Sequence, residues 1–507
     1  MRLLKGLCVL ALAIGLTGLV YAETQSVKIS GDLTVRSFFR GDYDLDKNDT
    51  EQGEVFTAGA NIRTSGSDDW QKYFMTTTEV QVDADLTDNV GAVIRLFNQR
   101  DWNVYTKSIT QTTNIAPLTY GGYTATDDEF DIGVDLAYIE LKEFLYSPLT
   151  LKIGRQDIWF GKGLVVGANQ QDPQATINAN EYTSVNSFDA LRATLDYDPW
   201  TVDLVVAKTF EGLIDSNDDE DLYGLNVGYI FDVYNAEAEA YWFNKRDKKV
   251  ENFNIKEGNI IHTMGLRGSC DPIENWTVAA ESAFQWGQYV GTRDQLNKRD
   301  RSAFAIDASL ECRHFQQQYS WKPKLGAEYI YYSGNKNIED EMTENHNLSV
   351  VSGTYTGWDR MYRGKFDSAV REFMGTYYLS NQDVNNARVG SYYSYPDASD
   401  QNQHQIIVIG SVQPTDSLTV DCRYINFWQQ YETGHFDTRY APHTASNGRW
   451  VKDASYLGGE VDVELTWDYT EDVSFGLLCA WFFPGSHYYD QSNDVAQDIV
   501  GTVKLSF

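Results

Sequence analysis

Past residue 22 the chain has no apolar run approaching the length a membrane-spanning helix needs, which excludes a helical membrane protein. Base is also short: 41 Lys and Arg stand against 73 Asp and Glu, a formal net charge of −32. Nucleic-acid binding needs basic surface, so that balance argues against it. Cysteine is scarce. Of five, Cys8 sits in an apolar leader where Lys5-Gly6-Leu7 precedes it, which is no lipoprotein box. Cys270, Cys312, Cys422 and Cys479 are far apart with no C-x-x-C spacing, and read as small hydrophobes rather than metal ligands or a disulfide framework. No Pro-, Ser- or Gly-rich linker marks a domain boundary in the 507 residues. The seven histidines (262, 314, 346, 404, 435, 443 and 487) make no H-E-x-x-H, and no G-x-S-x-G accompanies them, which argues against an enzyme.

What is present points to export. Arg2 and Lys5 precede an apolar stretch from Leu7 to Val20, and Val20-Tyr21-Ala22 supplies an A-x-A-like cleavage site. Residues 1–22 therefore read as a cleaved signal peptide of the Sec type, and the mature chain as 23–507. Losing Arg2 and Lys5 with the leader takes the net charge from −32 to −34. At the other end Ile499, Gly501, Val503, Leu505 and Phe507 share one face, an alternating strand closing on an aromatic residue, as bacterial outer-membrane barrels usually do. Aromatics make up 14% of the chain, with 33 Tyr and 13 Trp, while mean hydropathy is −0.44. One face in lipid, one in water and aromatic girdles at the interfaces would produce that combination.

Period-two alternation sets the fold class. In Glu79 to Leu86, Val80, Val82, Ala84 and Leu86 point one way and Glu79, Gln81, Asp83 and Asp85 the other. Helical periodicity would scatter those acids around the wheel. The pattern predicts strands at 27–40, 72–86, 90–102, 130–143, 148–160, 185–197, 200–210, 221–232, 235–246, 259–270, 275–288, 302–314, 321–333, 404–413, 417–430, 452–467, 472–483 and 496–507. Their connections are short and long in turn. That is an all-β transmembrane antiparallel barrel of about 18 strands, with short periplasmic turns and long extracellular loops.

Several blocks on these strands carry a resemblance. Leu136-Ala-Tyr-Ile-Glu-Leu141, Leu149-Thr-Leu-Lys-Ile-Gly-Arg-Gln-Asp157, Gly161 and Phe188-Asp-Ala-Leu-Arg192 resemble the alginate-export family of outer-membrane porins. Leu457-Gly-Gly-Glu-Val-Asp-Val463 and Cys479-Ala-Trp-Phe-Phe-Pro-Gly485 look like that family's C-terminal hairpin. The resemblance implies an 18-stranded monomeric barrel. It also implies a channel, whose cargo in the alginate exporter is a polyuronate drawn by a basic pore and in other members a small solute.

Strand parity gives the pore-lining candidates. The bases are Arg36, Arg95, Arg192, Arg267, Arg313 and Arg423, and the acids include Asp83, Asp85, Glu239, Glu281, Glu311, Glu460, Asp462 and Glu464. Arg155 shares parity with the lipid-facing Ile153, so its place in the pore needs a bulge at Gly154. Rings of fixed charge in a narrow pore set ion selectivity, and acids outnumber bases here. The 334–403 connection carries a basic-aromatic patch, with Trp358, Arg360, Arg363 and Arg371, expected to fold into the mouth as a constriction. Asp42-Tyr-Asp-Leu-Asp-Lys-Asn-Asp49 has the spacing of hard-cation loops, but Lys47 replaces the required glycine, so no cofactor is expected beyond loose Ca²⁺. The expected function is a passive channel for hydrophilic solutes in the Gram-negative outer membrane. Its partners would be membrane lipid and lipopolysaccharide, and a small solute or polysaccharide. A plugged structural or adhesive barrel, or a polyuronate exporter, would share these features.

Overall fold

The computed structural model describes residues 26–43, 45, 54–57, 60–63, 71–102, 132–146, 148–169, 186–211, 219–248, 258–290, 298–335, 353–364, 366–373, 401–432, 435–437, 449–451, 454–488 and 494–507. The expected leader (1–22), most of the Asp42–Asp49 acidic run and part of the 334–403 connection lie outside these residues.

Eighteen strands form one antiparallel sheet. They are β1 (Ser26–Gly41), β2 (Gln71–Thr87), β3 (Val90–Asp101), β4 (Gly133–Leu141), β5 (Leu149–Gln156) and β6 (Phe188–Tyr197). The wall continues as β7 (Trp200–Phe210), β8 (Glu220–Ile230), β9 (Glu237–Asp247), β10 (Asn259–Ile273), β11 (Trp276–Val290) and β12 (Lys298–Cys312). It finishes with β13 (Lys324–Tyr332), β14 (Gln403–Thr415), β15 (Leu418–Gln429), β16 (Tyr456–Asp468), β17 (Val473–Pro484) and β18 (Ala496–Ser506). Each pairs with its chain neighbours, and β1 also pairs with β18, so the sheet closes on itself. Closure leaves no edge, which is what a sheet in hydrocarbon requires of its backbone polar groups. The seam is tied by reciprocal bonds between Gly31 and Phe507, N–H to carbonyl at 3.0 Å in each direction.

The strands follow the predicted ones, and the differences have causes. The strand expected at 148–160 stops at Gln156, because Asp157 onward leaves the sheet for the barrel interior. The one expected at 302–314 starts earlier, at Lys298, where Tyr355 of a later loop pairs beside Arg301 and extends the wall.

Lipid-facing positions are apolar and exposed: Ile94, Leu204, Val206, Met264, Leu266, Val408 and Leu477. Aromatic side chains gather at both rims of that face. Trp200, Tyr229 and Phe231 pack together at the periplasmic rim, as do Trp467, Tyr469 and Phe475. At the extracellular rim His262 stacks between Trp242 and Trp286, and Phe74 stacks on Trp102. These are the girdles that rings with an apolar body and a polar tip form at a membrane interface. The four described cysteines are free. Two short hairpins, Glu54–Thr57 with Ala60–Arg63 and His435–Asp437 with Arg449–Val451, belong to the long extracellular connections.

The inner face departs from the expected wet wall. In the extracellular half it is apolar: Phe188, Val205, Leu222, Phe243, Ile261, Ile330, Ile407, Ile425, Phe427 and Phe482 are all buried in one cluster. Eighteen strands enclose a space wider than their own side chains fill, so something else must cover those residues.

The seam generates a prediction. A Cβ at Gly31 would stand 2.6 Å from the Glu79 carbonyl oxygen and 2.7 Å from the Phe507 ring. Gly31→Val is expected to lower the temperature at which the folded band unfolds on unheated SDS gels. Adding Phe507→Ala should recover part of the loss. If Gly31→Val leaves that temperature unchanged, the seam is not as tightly packed as described.

Candidate functional site: two loops inside the lumen

Two segments between strands turn inward. The first, residues 157–169 between β5 and β6, buries Ile158, Phe160, Leu164, Val165 and Val166 against the apolar wall. Phe160 packs on Phe243 with ring centroids 5.4 Å apart. Its tip needs a glycine. Gly161 has φ +57°, and a Cβ there would meet the Glu281 carboxylate at 2.6 Å. With no side chain in the way, the Gly161 and Lys162 amides donate to Glu239 (3.3 Å) and Glu281 (2.8 Å). The Lys162 ammonium then reaches Asp307 on β12 and Glu328 on β13, both at 2.5 Å, and Ser309 at 3.3 Å. Tyr241, laid flat over Gly265, donates its hydroxyl to the other Glu281 oxygen at 2.7 Å. The loop thus ties β5 to walls four to eight strands away round the ring.

The second segment, residues 353–373, crosses the lumen as a strap. Tyr355 stacks on Tyr289 with centroids 3.7 Å apart. The Asp359 backbone exchanges bonds with Gln285 (2.7 and 2.9 Å), and its carboxylate faces Lys245 at 3.6 Å and Arg301 at 3.9 Å. The Tyr362 hydroxyl donates to Glu220 at 2.8 Å and lies 2.9 Å from the Thr209 hydroxyl. On the far side the Val370 and Arg371 amides donate to the two Glu460 oxygens at 2.9 and 2.8 Å. Thr209 is on β7 and Glu460 on β16, nine strands apart in a ring of eighteen, so the strap spans a diameter. Between these anchors Glu372 holds the strap's own shape. It accepts from Arg363, from the Asp367 and Ser368 amides, and from Gln405 on β14.

The loop and the strap meet beside β6, β7 and β8 as a short parallel pair, Val166 beside Tyr362. The Tyr362 amide donates to Val165 (2.9 Å), the Gly167 amide to Tyr362 (2.7 Å) and the Gly364 amide to Gly163 (3.0 Å). Backbone groups that would otherwise be buried without partners are satisfied by this pairing.

Charge on the strap follows its surroundings. Burial alone would raise the Asp359 carboxyl, but Lys245 and Arg301 outweigh it and hold the group below the ordinary aspartate value. Burial beside Glu220 pushes the Tyr362 hydroxyl well above the usual tyrosine range, which keeps it protonated as a donor.

The predicted site residues divide. Among the loop candidates, Trp358, Arg363 and Arg371 are buried within the lumen and Arg360 is half-buried beside Asp359. Glu239, Glu281, Glu460 and Asp462 carry the inward segments. Most wall arginines pair with wall acids: Arg95 with Asp135 (2.5 Å) and Asp157 (3.2 Å), Arg192 with Asp203 (2.8 Å), and Arg267 with Glu237 and Glu239 (2.6 Å each). Arg313 pairs with Glu311 at 3.3 Å. Asp83 accepts from Gln81 and Asp85 from Ser26, while register sets Arg36 beside Met75 on the inner face. Arg423 and Glu464 line the open part of the lumen. Arg155 requires a correction. Gly154 does adopt φ +124°, but the register runs through it unshifted, and Arg155 pairs with Asp189 on the outer face with Ile153 and Leu191.

Lys162, Lys245, Asp359 and Glu372 were not singled out by parity. Lys162 left one trace: the alternation breaks at Trp159-Phe-Gly-Lys-Gly163. A second trace is Leu204-Val-Val-Ala207, apolar on both faces, which means the inner face there is also covered.

A closed barrel with lipid on its outer face, long loops at one end and charge within is an outer-membrane β-barrel protein of the porin class. The chain belongs to the alginate export family, whose profile matches residues 53–502. No curated protein matches it. Solved structures similar to it include Pseudomonas aeruginosa OccK11 (OpdR), at 11% identity over 94% of this chain and 96% of that one, TM-score 0.49. OccK2 (OpdF) of P. aeruginosa, solved with glucuronate, is 12% identical over 96% and 99%, TM-score 0.48. Acinetobacter baumannii OccAB4 is 10% identical over 96% and 99%, TM-score 0.47.

Two predictions concern the anchors. Lys162→Met leaves Asp307 and Glu328 facing each other without their cation, and should destabilise the fold by about 3 kcal/mol. Adding Asp307→Asn and Glu328→Gln should restore most of it; chemical denaturation of the unsubstituted protein and both variants checks this, and no recovery would mean that the ammonium is not the tie. The Asp359 ion pairs depend on pH. They hold at full strength above the ordinary aspartate range, about pH 4, and are lost only as pH falls through the group's lower value in the fold. Open-channel noise should therefore stay flat from pH 7 to about 4 and rise below that, while Asp359→Asn should be noisy throughout.

Proposed function

We propose that the protein is a passive outer-membrane channel for small hydrophilic solutes, with the strap and the 157–169 loop forming its constriction and no residue performing covalent chemistry. The observation that carries this reading is the strap's course across a diameter, with Tyr362 held at β7 and β8 and Arg371 at β16. Two bars across a charged tube reduce a wide lumen to narrow apertures without closing the lower, periplasmic half. The wall charges are mixed, and acids outnumber bases among the pore-lining candidates, which favours cations and weighs against a polyuronate. Monomeric assembly, delivery by a cleaved Sec-type leader and contact of the acidic loops with lipopolysaccharide through divalent ions complete the proposal.

A plugged barrel is the second reading, favoured by the apolar cluster that the loops complete within the extracellular half. Single-channel recording in a planar bilayer under a KCl gradient separates the two. A steady current with a reversal potential of the sign for cations is expected, and replacing residues 357–371 by a short Gly-Ser linker should raise the conductance several-fold. Absence of current in the intact protein together with a large current after that replacement would establish the plug instead.

A further inference from the structure

Burial alternates where the chain leaves β5: Gln156, Ile158 and Phe160 are buried, while Asp157 and Trp159 are exposed. Ile158 and Phe160 pack on the apolar wall, so Asp157 and Trp159 share the opposite side of the segment. The Trp159 indole does not swing free there. A Cβ at Gly163 would stand 2.4 Å from its Cζ2, one at Gly167 2.8 Å from its Cε3, and one at Gly364 of the strap 2.5 Å from its Cζ3. Three glycines from two segments thus touch one six-membered ring, which lies across them all. Gly167 and Gly364 are outside the left-handed region, so what requires glycine at both is the close approach of loop, strap and ring.

The ring's polar edge is also committed, since its Nε1 donates to the Gly161 carbonyl at 3.2 Å. Trp159 is nevertheless 49% exposed. What it offers the interior is therefore a fixed surface of carbon. A lone exposed apolar side chain needs no explanation, but one seated on three glycines where loop and strap join is a built platform. Asp157 stands beside it, two residues of extended chain or about 7 Å away. Its side chain is 53% exposed, and its oxygens accept from Ser187 at 3.0 Å and Arg95 at 3.2 Å. A carboxylate has about four lone-pair sites, so capacity to accept remains. Arg95 is shared with the buried Asp135, and two carboxylates against one guanidinium turn away an anionic ring.

We propose that Trp159 is a stacking platform for a neutral cyclic polyol of the pyranose type. The C–H groups on one face of such a ring carry slight positive charge and lie on the electron-rich face of the indole. Hydroxyls at the ring's edge donate to Asp157, as charge-assisted hydrogen bonds. A platform open on its other side orients a solute and lets it go, as conduction requires. Its part in permeation rests on the channel reading, and the binding itself does not.

The test uses the full-length barrel, with methyl β-D-glucopyranoside as probe and sorbitol, which has the hydroxyls without a ring face, as control. Saturation-transfer NMR in detergent micelles should find H1, H3 and H5 of the glucoside, the C–H groups of one face, nearest the protein, and little transfer to sorbitol. In a planar bilayer the glucoside should interrupt the KCl current and sorbitol should not. Trp159→Leu keeps an apolar side chain without a flat ring and should weaken both effects about tenfold, the worth of one stacked ring. Trp159→Phe should restore part of the loss. Equal transfer to sorbitol, unchanged binding in Trp159→Leu, or stronger binding of glucuronate or tetramethylammonium than of the glucoside overturns the assignment. KCl current without glucoside binding defeats the platform and leaves the channel standing. Glucoside binding without any current does the reverse.

Discussion

Everything in this molecule depends on the closure of its sheet. In hydrocarbon no water is available to an open strand edge, so β1 must find β18 and each peptide group on the rim of the ring must be paired. Closure at eighteen strands then fixes a circumference, and the circumference fixes an interior that wall side chains cannot fill. The inward loops answer that geometry. Their apolar residues cover Phe188, Phe243, Ile261 and Phe427, which would otherwise face water, and their backbone groups pair with one another at Val166 and Tyr362.

The same reasoning explains where charge is found. Inward carboxylates at Glu281, Glu328 and Glu460 are not surplus from an acidic composition; each receives an amide or an ammonium from a loop. Removing Glu281 or Glu460 would leave loop amides without their acceptor. Asp421 and Glu464, which accept from no loop group among the described residues, line a recess open to the lumen. Carboxylates that hold a loop and carboxylates that face open space therefore occupy the same strands at successive depths, as Glu460 and Glu464 do along β16.

How much of this was legible in the sequence follows from what alternation encodes. Period two reports which face a residue is on, and it located the strands. It is blind to what lies opposite a face. Phe188 and Phe243 read as inward residues, but nothing local says that Tyr362 will meet the first and Phe160 the second from loops far off in the chain. Lys162 was missed for that reason: its partners at Asp307 and Glu328 are 145 and 166 residues distant, and its own neighbourhood shows only a broken alternation. Arg155 misled in the other direction. Its motif suggested the pore, while plain parity had it on the outer face, and parity was right.

The strap has a mechanical consequence. A cylinder of strands is stiff along its hydrogen bonds but soft to flattening, since its cross-section can become elliptical with little change in any one strand pair. A tie fixed at Thr209 on one side and Glu460 on the other makes the long axis of that ellipse a defined length. Flattening the ring along that direction would have to break the bonds at the tie's two ends.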